Sequence, residues 1–341
     1  VLGADKPAGR RNETGAILGL YGHRPVGKRE YVLAAKIGAA IALKRQPQSE
    51  YRYMNTSQQD RSYCLVTSCP DRVGIVAAVS QFVAERGGSL DESNHHSDHD
   101  GQRFFMRNVI DANSLSISVE AFREQFTPLA QKLDMKWHIR DSLKPQNVVI
   151  FASKASHCLS DLLYRWHSGE LNCAIPCVIS NHENLRSIVE WYGIPFHYVP
   201  VDKDSKAAAF ARMSAIVAEN NTDTIVLARY MQIIPAELCR DFSGRLINIH
   251  HSFLPSFIGA NPYQKAFDRG VKLIGATSHY VTEELDEGPI IEQDVIRVSH
   301  SCNKDDLVRL GRDVERSVLS KALRYHLEDR VMIQGNKTIV F

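Results

Sequence analysis

The sequence predicts an α/β protein of two domains, a ferredoxin-like βαββαβ unit followed by a Rossmann-like, mostly parallel sheet. Three observations predict it. Residues 61–141 read strand, helix, strand, strand, helix, strand. Residues 147–341 alternate strands with helices, the pattern that wraps crossovers around a parallel sheet. A short polar stretch with Pro145, residues 142–146, lies between them as a linker. A chain of 341 residues is long enough for two cores of ordinary size.

Residues 1–60 stand apart as a basic extension. Residues 1–53 hold ten Lys/Arg against four Asp/Glu and lack firm periodicity. Only the Ala-rich Tyr31–Leu43 looks helical. A basic, acid-poor leader fits either a disordered or extraneous extension or a transit peptide. Met54, just before the first clear strand, favours the former.

The first domain begins where Tyr63–Ser68 alternates as a strand does. Pro70-Asp71-Arg72-Val73-Gly74 then turns into an apolar-periodic helix, Ile75–Arg86, which Gly87-Gly88 stops. Ser89–His96 is a second strand, and a polar turn at Asp98–Gly101 leads to a third, Phe104–Ile110. A helix over Ser118–Leu133 and a strand over Met135–Arg140 complete the unit.

In the second domain strands are expected at Asn147–Ala152, Ala174–Ser180, Phe196–Val199, Thr224–Leu227, Leu246–Ile249, Thr277–Thr282 and Ile290–Arg297. Helices are expected at Leu159–His167, Glu183–Tyr192, Lys206–Glu219, Pro235–Arg240 and Asp305–Glu328. No repeat or low-complexity tract interrupts them.

The net charge is +2, and the basic extension leaves the rest of the chain mildly acidic, which argues against nucleic acid as a partner. Seven scattered cysteines read as reduced thiols of a cytoplasmic protein. Cys173 and Cys177 form the closest pair and lack the second pair that a structural zinc site needs. Asp91, Glu92, His95, His96, Asp98 and His99 crowd a strand end and turn without metal-ligand spacing, and read as a solvated hairpin. No metal is expected. No apolar run approaches membrane-spanning length.

The chemistry concentrates in Asn248-Ile249-His250-His251-Ser252-Phe253-Leu254-Pro255. Asn248 and His250 are two apart, so a strand directs them to one face. Strand carboxyl ends are where open α/β sheets place ligands. An amide donor beside an imidazole that exchanges protons near neutral pH suits attack on a carbonyl. Downstream, Leu285-Asp286-Glu287-Gly288-Pro289-Ile290 places a carboxylate in a tight turn between two strands.

These two separated motifs, in this order, resemble the formyltetrahydrofolate-dependent formyltransferase family, over roughly Asn147–Ile296. The resemblance implies that Asn248 donates to the tetrahedral oxyanion and His250 shuttles protons. It implies that Asp286 orients the imidazole and holds an attacking water. It also implies that His279 and Gly288 line the site, and that Arg229, Tyr230, Met231, Gln232, Ile233 and Ile234 form the pterin-binding loop. 10-Formyltetrahydrofolate is then the substrate, with no permanently bound cofactor.

Three formyl acceptors come into question: glycinamide ribonucleotide, methionyl-tRNA and water. Family members acting on the nucleotide carry a Gly-rich phosphate loop after the first strand, where here Ala152–Cys158 has no glycine. Its Ser, Lys and His keep anion contact open. The tRNA reaction needs a basic RNA-binding domain that this acidic body lacks. His251, where transferases resembling this domain commonly have Pro, matches the hydrolytic branch. Hydrolysis to formate and tetrahydrofolate, feeding purine synthesis and balancing folate pools, is the expected activity. Transfer to glycinamide ribonucleotide, or a catalytically silent folate- or amino-acid-binding regulator, are the alternatives.

Asp71-Arg72-Val73-Gly74 before a helix resembles the ACT family of small-molecule sensors, as does the domain around it. The glycine there is expected to permit close backbone approach, with the helix N-terminus receiving a carboxylate. The resemblance implies an amino-acid effector, glycine or methionine, bound by these four residues. It also implies a homo-oligomer formed through edge strands.

Overall fold

The computed structural model describes residues 61–202, 204–255 and 262–341. The basic extension and its expected helix at Tyr31–Leu43 lie outside the described residues. The first domain runs β1 (Ser62–Pro70), α1 (Ile75–Ala84), β2 (Leu90–Asp98), β3 (Arg103–Asp111), α2 (Val119–Lys132) and β4 (Lys136–Asp141). Its sheet is antiparallel in the order β2-β3-β1-β4, as a βαββαβ unit requires. One sheet face, through Leu65, Met106 and Ile110, packs on Val79 and Phe82 of α1 and Phe122 and Phe126 of α2. Phe82 meets both α2 rings edge-on, the arrangement ring quadrupoles favour. The outer strand β2 keeps Asp91, Glu92 and Ser93 exposed.

The second domain is a mixed, mostly parallel sheet of eight strands. Its strands are β5 (Gln146–Ala152), β6 (Cys173–Ala174), β7 (Val178–Ser180), β8 (Phe196–Tyr198), β9 (Thr224–Ala228), β10 (Leu246–His250), β11 (Leu273–Tyr280) and β12 (Ile290–Arg297). The order is β12-β11-β10-β9-β5-β7-β8, with β6 beside β5. Only β11 and β12 run antiparallel to their neighbours. Helices α3 (His157–Ser168), α4 (Arg186–Trp191), α5 (Lys206–Glu219), α6 (Ala236–Asp241), α7 (Pro262–Arg269) and α8 (Lys304–Leu327) surround it. Leu159 and Leu162 of α3 and Val318 and Leu319 of α8 fill one face. Phe210 and Met213 of α5 and Leu238 of α6 fill the other. Strand order reverses between β5 and β9, which opens a crevice at their carboxyl ends.

Several expected elements change. The strand expected over Ala174–Ser180 splits into β6 and β7, because Pro176 has no N–H to give a ladder. Glu183–Tyr192 is a 3₁₀ turn, Glu183–Leu185, followed by α4. The strand expected over Thr277–Thr282 starts at Leu273 and ends at Tyr280. Helix α7 and the terminal hairpin β13 (Val331–Gln334) and β14 (Lys337–Val340) are additional. All seven cysteines are free thiols, Cys173 and Cys177 among the buried ones.

The end of α8 joins the domains. The buried Arg107 of β3 donates to the Glu328 carbonyl from Nε at 3.1 Å and Nη2 at 3.0 Å, capping the helix with a cation where its dipole is negative. The same guanidinium pairs with Glu92 at 2.8 Å. Asp329 pairs with Arg140 at 2.9 Å and with His138 at 3.1 Å. Met332 of β13 packs on Val66 and Phe105, covering the sheet face that α1 and α2 leave open.

His326 near the end of α8 bridges β9 and β11. The Thr224 hydroxyl gives its proton to Gln146, so the His326 Nε2–H donates to Thr224 Oγ1 at 2.9 Å. Its Nδ1 then accepts from the Tyr280 hydroxyl at 2.9 Å. The neutral ring is satisfied, and burial, then Arg140, pushes its pKa down to about 4. As pH falls the unfolded chain takes up this proton first, near 6.5, so stability is lost from there down towards pH 4. Between pH 7 and 5 this group is expected to remove about 2 kcal/mol. Urea denaturation at both pH values should show His326→Gln losing less stability on acidification than the wild type. An equal loss in both proteins would contradict the assignment.

Candidate active site

The site begins with β10, whose neighbours Leu246, Ile247 and Ile249 are buried. Asn248 and His250 leave its same face at the carboxyl end. Antiparallel pairing sets Asn248 opposite His279 of β11, and the Asn248 amide Nδ2 lies 3.2 Å from His279 Nε2. His279 Nδ1 lies 2.9 Å from the Tyr280 carbonyl, which can only accept, so that nitrogen carries the proton. The Nε2 lone pair then receives the Asn248 amide, which turns the NH₂ end of Asn248 towards the site.

Asp286 reaches the same place from the β11–β12 loop. Tyr280 N–H donates to the Pro289 carbonyl at 2.9 Å and closes that loop at its base. Asp286 sits in the left-handed region at φ 59°, a conformation uncommon for residues with a side chain. Its Oδ2 is 3.2 Å from His250 Nδ1, and its Oδ1 is 3.6 Å from His279 Nε2. Burial raises its pKa, but the hydrogen bond from His250 and the nearness of the His279 ring outweigh that and hold the carboxyl well below the usual range. The carboxylate fixes the His250 proton on Nδ1 and leaves Nε2 bare. That Nε2 is buried and has no hydrogen-bond partner among the described residues. Asn248, His250, His279 and Asp286 thus come together, although Asp286 is distant in sequence.

Gly288 does not line the cavity. A Cβ on it would lie 1.8 Å from the Tyr280 carbonyl oxygen, so the glycine is there for backbone contact. The expected substrate contact at this residue is therefore corrected to a loop-closing role.

A cavity of about 570 Å³ opens beside these side chains. Its wall includes the segment Arg229–Ile234, with Met231 and Ile233 largely exposed. Leu285 is exposed across it. Exposed apolar side chains grouped around a cavity mark a ligand surface. The segment is held by Met231 N–H donating to Ser153 Oγ at 3.0 Å, while Ser153 donates to Asn181 at 2.7 Å. Its members do not all face the cavity. The Tyr230 ring turns into the core, edge-on to Phe151, with its hydroxyl on Met213. Arg229, at φ 61°, turns its Nε to 3.3 Å from Glu315.

Glu315 of α8 is the centre of a network that the sequence did not disclose. It is 1% exposed and receives His157 Nε2 at 2.8 Å and the Tyr263 hydroxyl at 2.5 Å. Gly311 makes room for the Tyr263 ring one turn earlier, since a Cβ there would fall 2.1 Å from its hydroxyl oxygen. Burial raises the Glu315 pKa, but His157 and Arg229 prevail and keep it ionised. His157, Cys158 and Glu315 have ligand atoms within 4.8 Å of one another. Arg229 already supplies the positive charge there, and burial pushes the Cys158 thiol far above its ordinary pKa. The sequence signal available was His157, in the loop noted for anion contact; it is instead taken by Glu315.

Asp71, Arg72, Val73 and Gly74 lie exposed on the first domain, before α1, and none lines this cavity. Arg72 donates to the Leu133 carbonyl at 3.3 Å. A Cβ at Gly74 would meet nothing within 4 Å, so close approach is not the reason for glycine. The reason is φ 94°, which side-chain-bearing residues rarely adopt.

An antiparallel sensor-type domain ahead of a parallel sheet that carries an amide, an imidazole and a carboxylate defines a two-domain enzyme for formyl chemistry. Residues 146–323 match the formyl transferase family and residues 63–126 the ACT domain. The formyltetrahydrofolate deformylase of Bacillus subtilis is 49% identical, over 86% of this chain and 96% of that protein. That of Escherichia coli is 41% identical, over 81% and 97%. The crystal structure of the formyltetrahydrofolate deformylase from Pseudomonas syringae pv. tomato superposes with a TM-score of 0.82 at 56% identity, covering 86% of this chain and 98% of that one. A glycinamide ribonucleotide transformylase from Symbiobacterium toebii matches at 0.55 and 26%, over 58% of this chain and 94% of its own. The chain belongs to the formyltetrahydrofolate deformylase family.

Gly288→Ala provides a test of the loop geometry. Its methyl cannot share space with the Tyr280 carbonyl, so the loop must shift and carry Asp286 off His250. The expected result is a turnover loss on the order of 10²-fold, the scale for a disturbed acid–base group. Gly270→Ala is the control: its Cβ would meet nothing within 4 Å, and the strain at φ 66° should lower stability but leave turnover intact.

Proposed function

We propose that this protein hydrolyses 10-formyltetrahydrofolate to formate and tetrahydrofolate, using Asn248, His250 and Asp286. The folate lies in the cavity with its pterin on the Met231–Ile234 segment. Asn248 donates to the formyl oxygen as the carbonyl becomes a tetrahedral oxyanion. His250 Nε2, bare and unpartnered, takes a proton from water and then returns it to the departing nitrogen. Asp286 holds the ring in that tautomer and stabilises the positive charge that the ring acquires. No step is assigned to a metal.

The observation that carries the reading is the ionised Asp286 on His250 Nδ1, facing a cavity large enough for a folate end. The choice of water as acceptor is supported at the N-terminus of α3. There a phosphate-bearing acceptor would meet the buried carboxylate of Glu315, and His157 is already engaged. The proposal extends to a cytoplasmic enzyme that returns formate to purine synthesis and acts as a homo-oligomer. It also places an amino-acid effector, glycine or methionine, at Asp71–Gly74, where the free N–H groups of α1 suit a carboxylate.

Incubation with 10-formyltetrahydrofolate and no acceptor should release formate, and chelation should not stop it. Faster transfer to glycinamide ribonucleotide would overturn the choice of acceptor. Asn248→Ala should slow turnover about 10²–10³-fold, the usual scale for one oxyanion donor. Asp286→Asn should slow it on the order of 10²-fold or more. A near-wild-type rate in either variant removes that residue from the mechanism.

Regulation is tested by calorimetry and rate measurements on the full chain with glycine and with methionine. Binding with a change in rate equivalent to about 1–3 kcal/mol of coupling is expected. Gly74→Val should weaken it through backbone strain at φ 94°. No heat from either amino acid at millimolar concentration would leave the first domain without this effector.

A further inference from the structure

His251 is the neighbour of His250 and lines the same cavity. The two rings are 5.3 Å apart and inclined by 39°. Among the described residues, nothing hydrogen-bonds the His251 ring. Its other ring neighbour, Tyr263 at 6.2 Å, has already given its hydroxyl proton to Glu315. His250 Nε2 is likewise bare and unpartnered in a side chain 7% exposed. Buried polar atoms left without protein partners are ordinarily satisfied by water or ligand. Ring centroids 5.3 Å apart leave room for one nitrogen of each imidazole to share a water, whose two hydrogen bonds span up to about 5.5 Å.

The other side of His251 faces an apolar cavity of about 290 Å³, walled by Phe253, Ala266, Ile274 and Val295. Ser252 and Tyr263 also line it, but the Tyr263 hydroxyl is engaged with Glu315. We propose that His251 holds the attacking water against His250, and so is a further catalytic residue of this site. The inference rests on the hydrolytic reading above.

The charge state supports it. Burial, then the Arg229 guanidinium, pushes the His251 pKa down to about 4; His250 acts in the same direction, while Glu315 and Asp286 act against it. A neutral ring keeps a lone pair at pH 7 and is too weak a base to remove the proton itself. One water proton is therefore held by His251 as a hydrogen bond. The other passes to His250 as the water oxygen bonds to the formyl carbon. The carbonyl π pair moves to the oxygen facing Asn248. Collapse restores the C=O bond and breaks the bond to nitrogen, whose electron pair takes the proton from His250. The products are tetrahydrofolate and formic acid, which loses its proton to solvent.

His251→Phe and His251→Gln distinguish this from a structural role. Each is assayed for formate release and, with hydroxylamine present, for N-formylhydroxylamine. Hydroxylamine brings its own nucleophilic lone pair and needs no positioned water. His251→Phe should lower kcat for hydrolysis on the order of 10²-fold, with KM changed less than about threefold. Transfer to hydroxylamine should persist. His251→Gln, which keeps a hydrogen-bond acceptor, should recover at least about tenfold of the lost hydrolysis. Hydrolysis by His251→Phe within about threefold of wild type would overturn the proposal, as would a parallel fall in both reactions. Absence of formate from the wild-type enzyme would instead overturn the hydrolytic reading beneath it.

Discussion

The close contact between Gly288 and the Tyr280 carbonyl is the constraint on which the site depends. It closes the loop between β11 and β12 so tightly that only glycine fits. Asp286, two residues earlier, is thereby turned back through a left-handed φ onto His250. A half-buried carboxylate in that position is costly unless paired, and the Nδ1–H of His250 pairs it. The pairing in turn decides which nitrogen of His250 is free. The chemistry of the site thus follows from a backbone contact that involves none of the reacting groups.

A second organising element is α8. Its middle presents Glu315 to His157, Tyr263 and Arg229 beside the cavity, and its end presents the Glu328 carbonyl to Arg107 of the first domain. His326, between these points, is hydrogen-bonded to β9 and to β11. One helix therefore touches the sensor-type sheet, the strands carrying the site and the wall of the cavity. Arg107 and Arg140 of the first domain thus meet the end of the helix whose middle holds Tyr263 through Glu315.

Much of this was legible in the sequence where periodicity governs. Strand alternation and helix periodicity gave the βαββαβ unit and the strand–helix alternation of the second domain. The two-residue spacing of Asn248 and His250 placed them on one face. Legibility failed where a single backbone feature or a distant contact decides. Pro176 broke an apolar run that read as one strand. Gly288 read as a substrate contact because its neighbour Asp286 belongs to the site, and the carbonyl above it comes from another part of the loop. Arg229 and Tyr230 sit in a segment that does face the cavity, but a left-handed φ at Arg229 sends its side chain to Glu315. Glu315 itself lies on an amphipathic helix where a glutamate normally faces water, and its partners are 52 to 158 residues away.

The central claim is that Asp286 fixes His250 with its proton on Nδ1 and Nε2 bare towards the cavity. Nitrogen-15 NMR of the His250 ring tests it directly, with Asp286→Asn to assign the partner. The account predicts a protonated Nδ1 and an unprotonated Nε2 near neutral pH, with that preference lost in the variant. A proton on Nε2 in the wild-type enzyme, or a tautomer indifferent to Asp286, would contradict it.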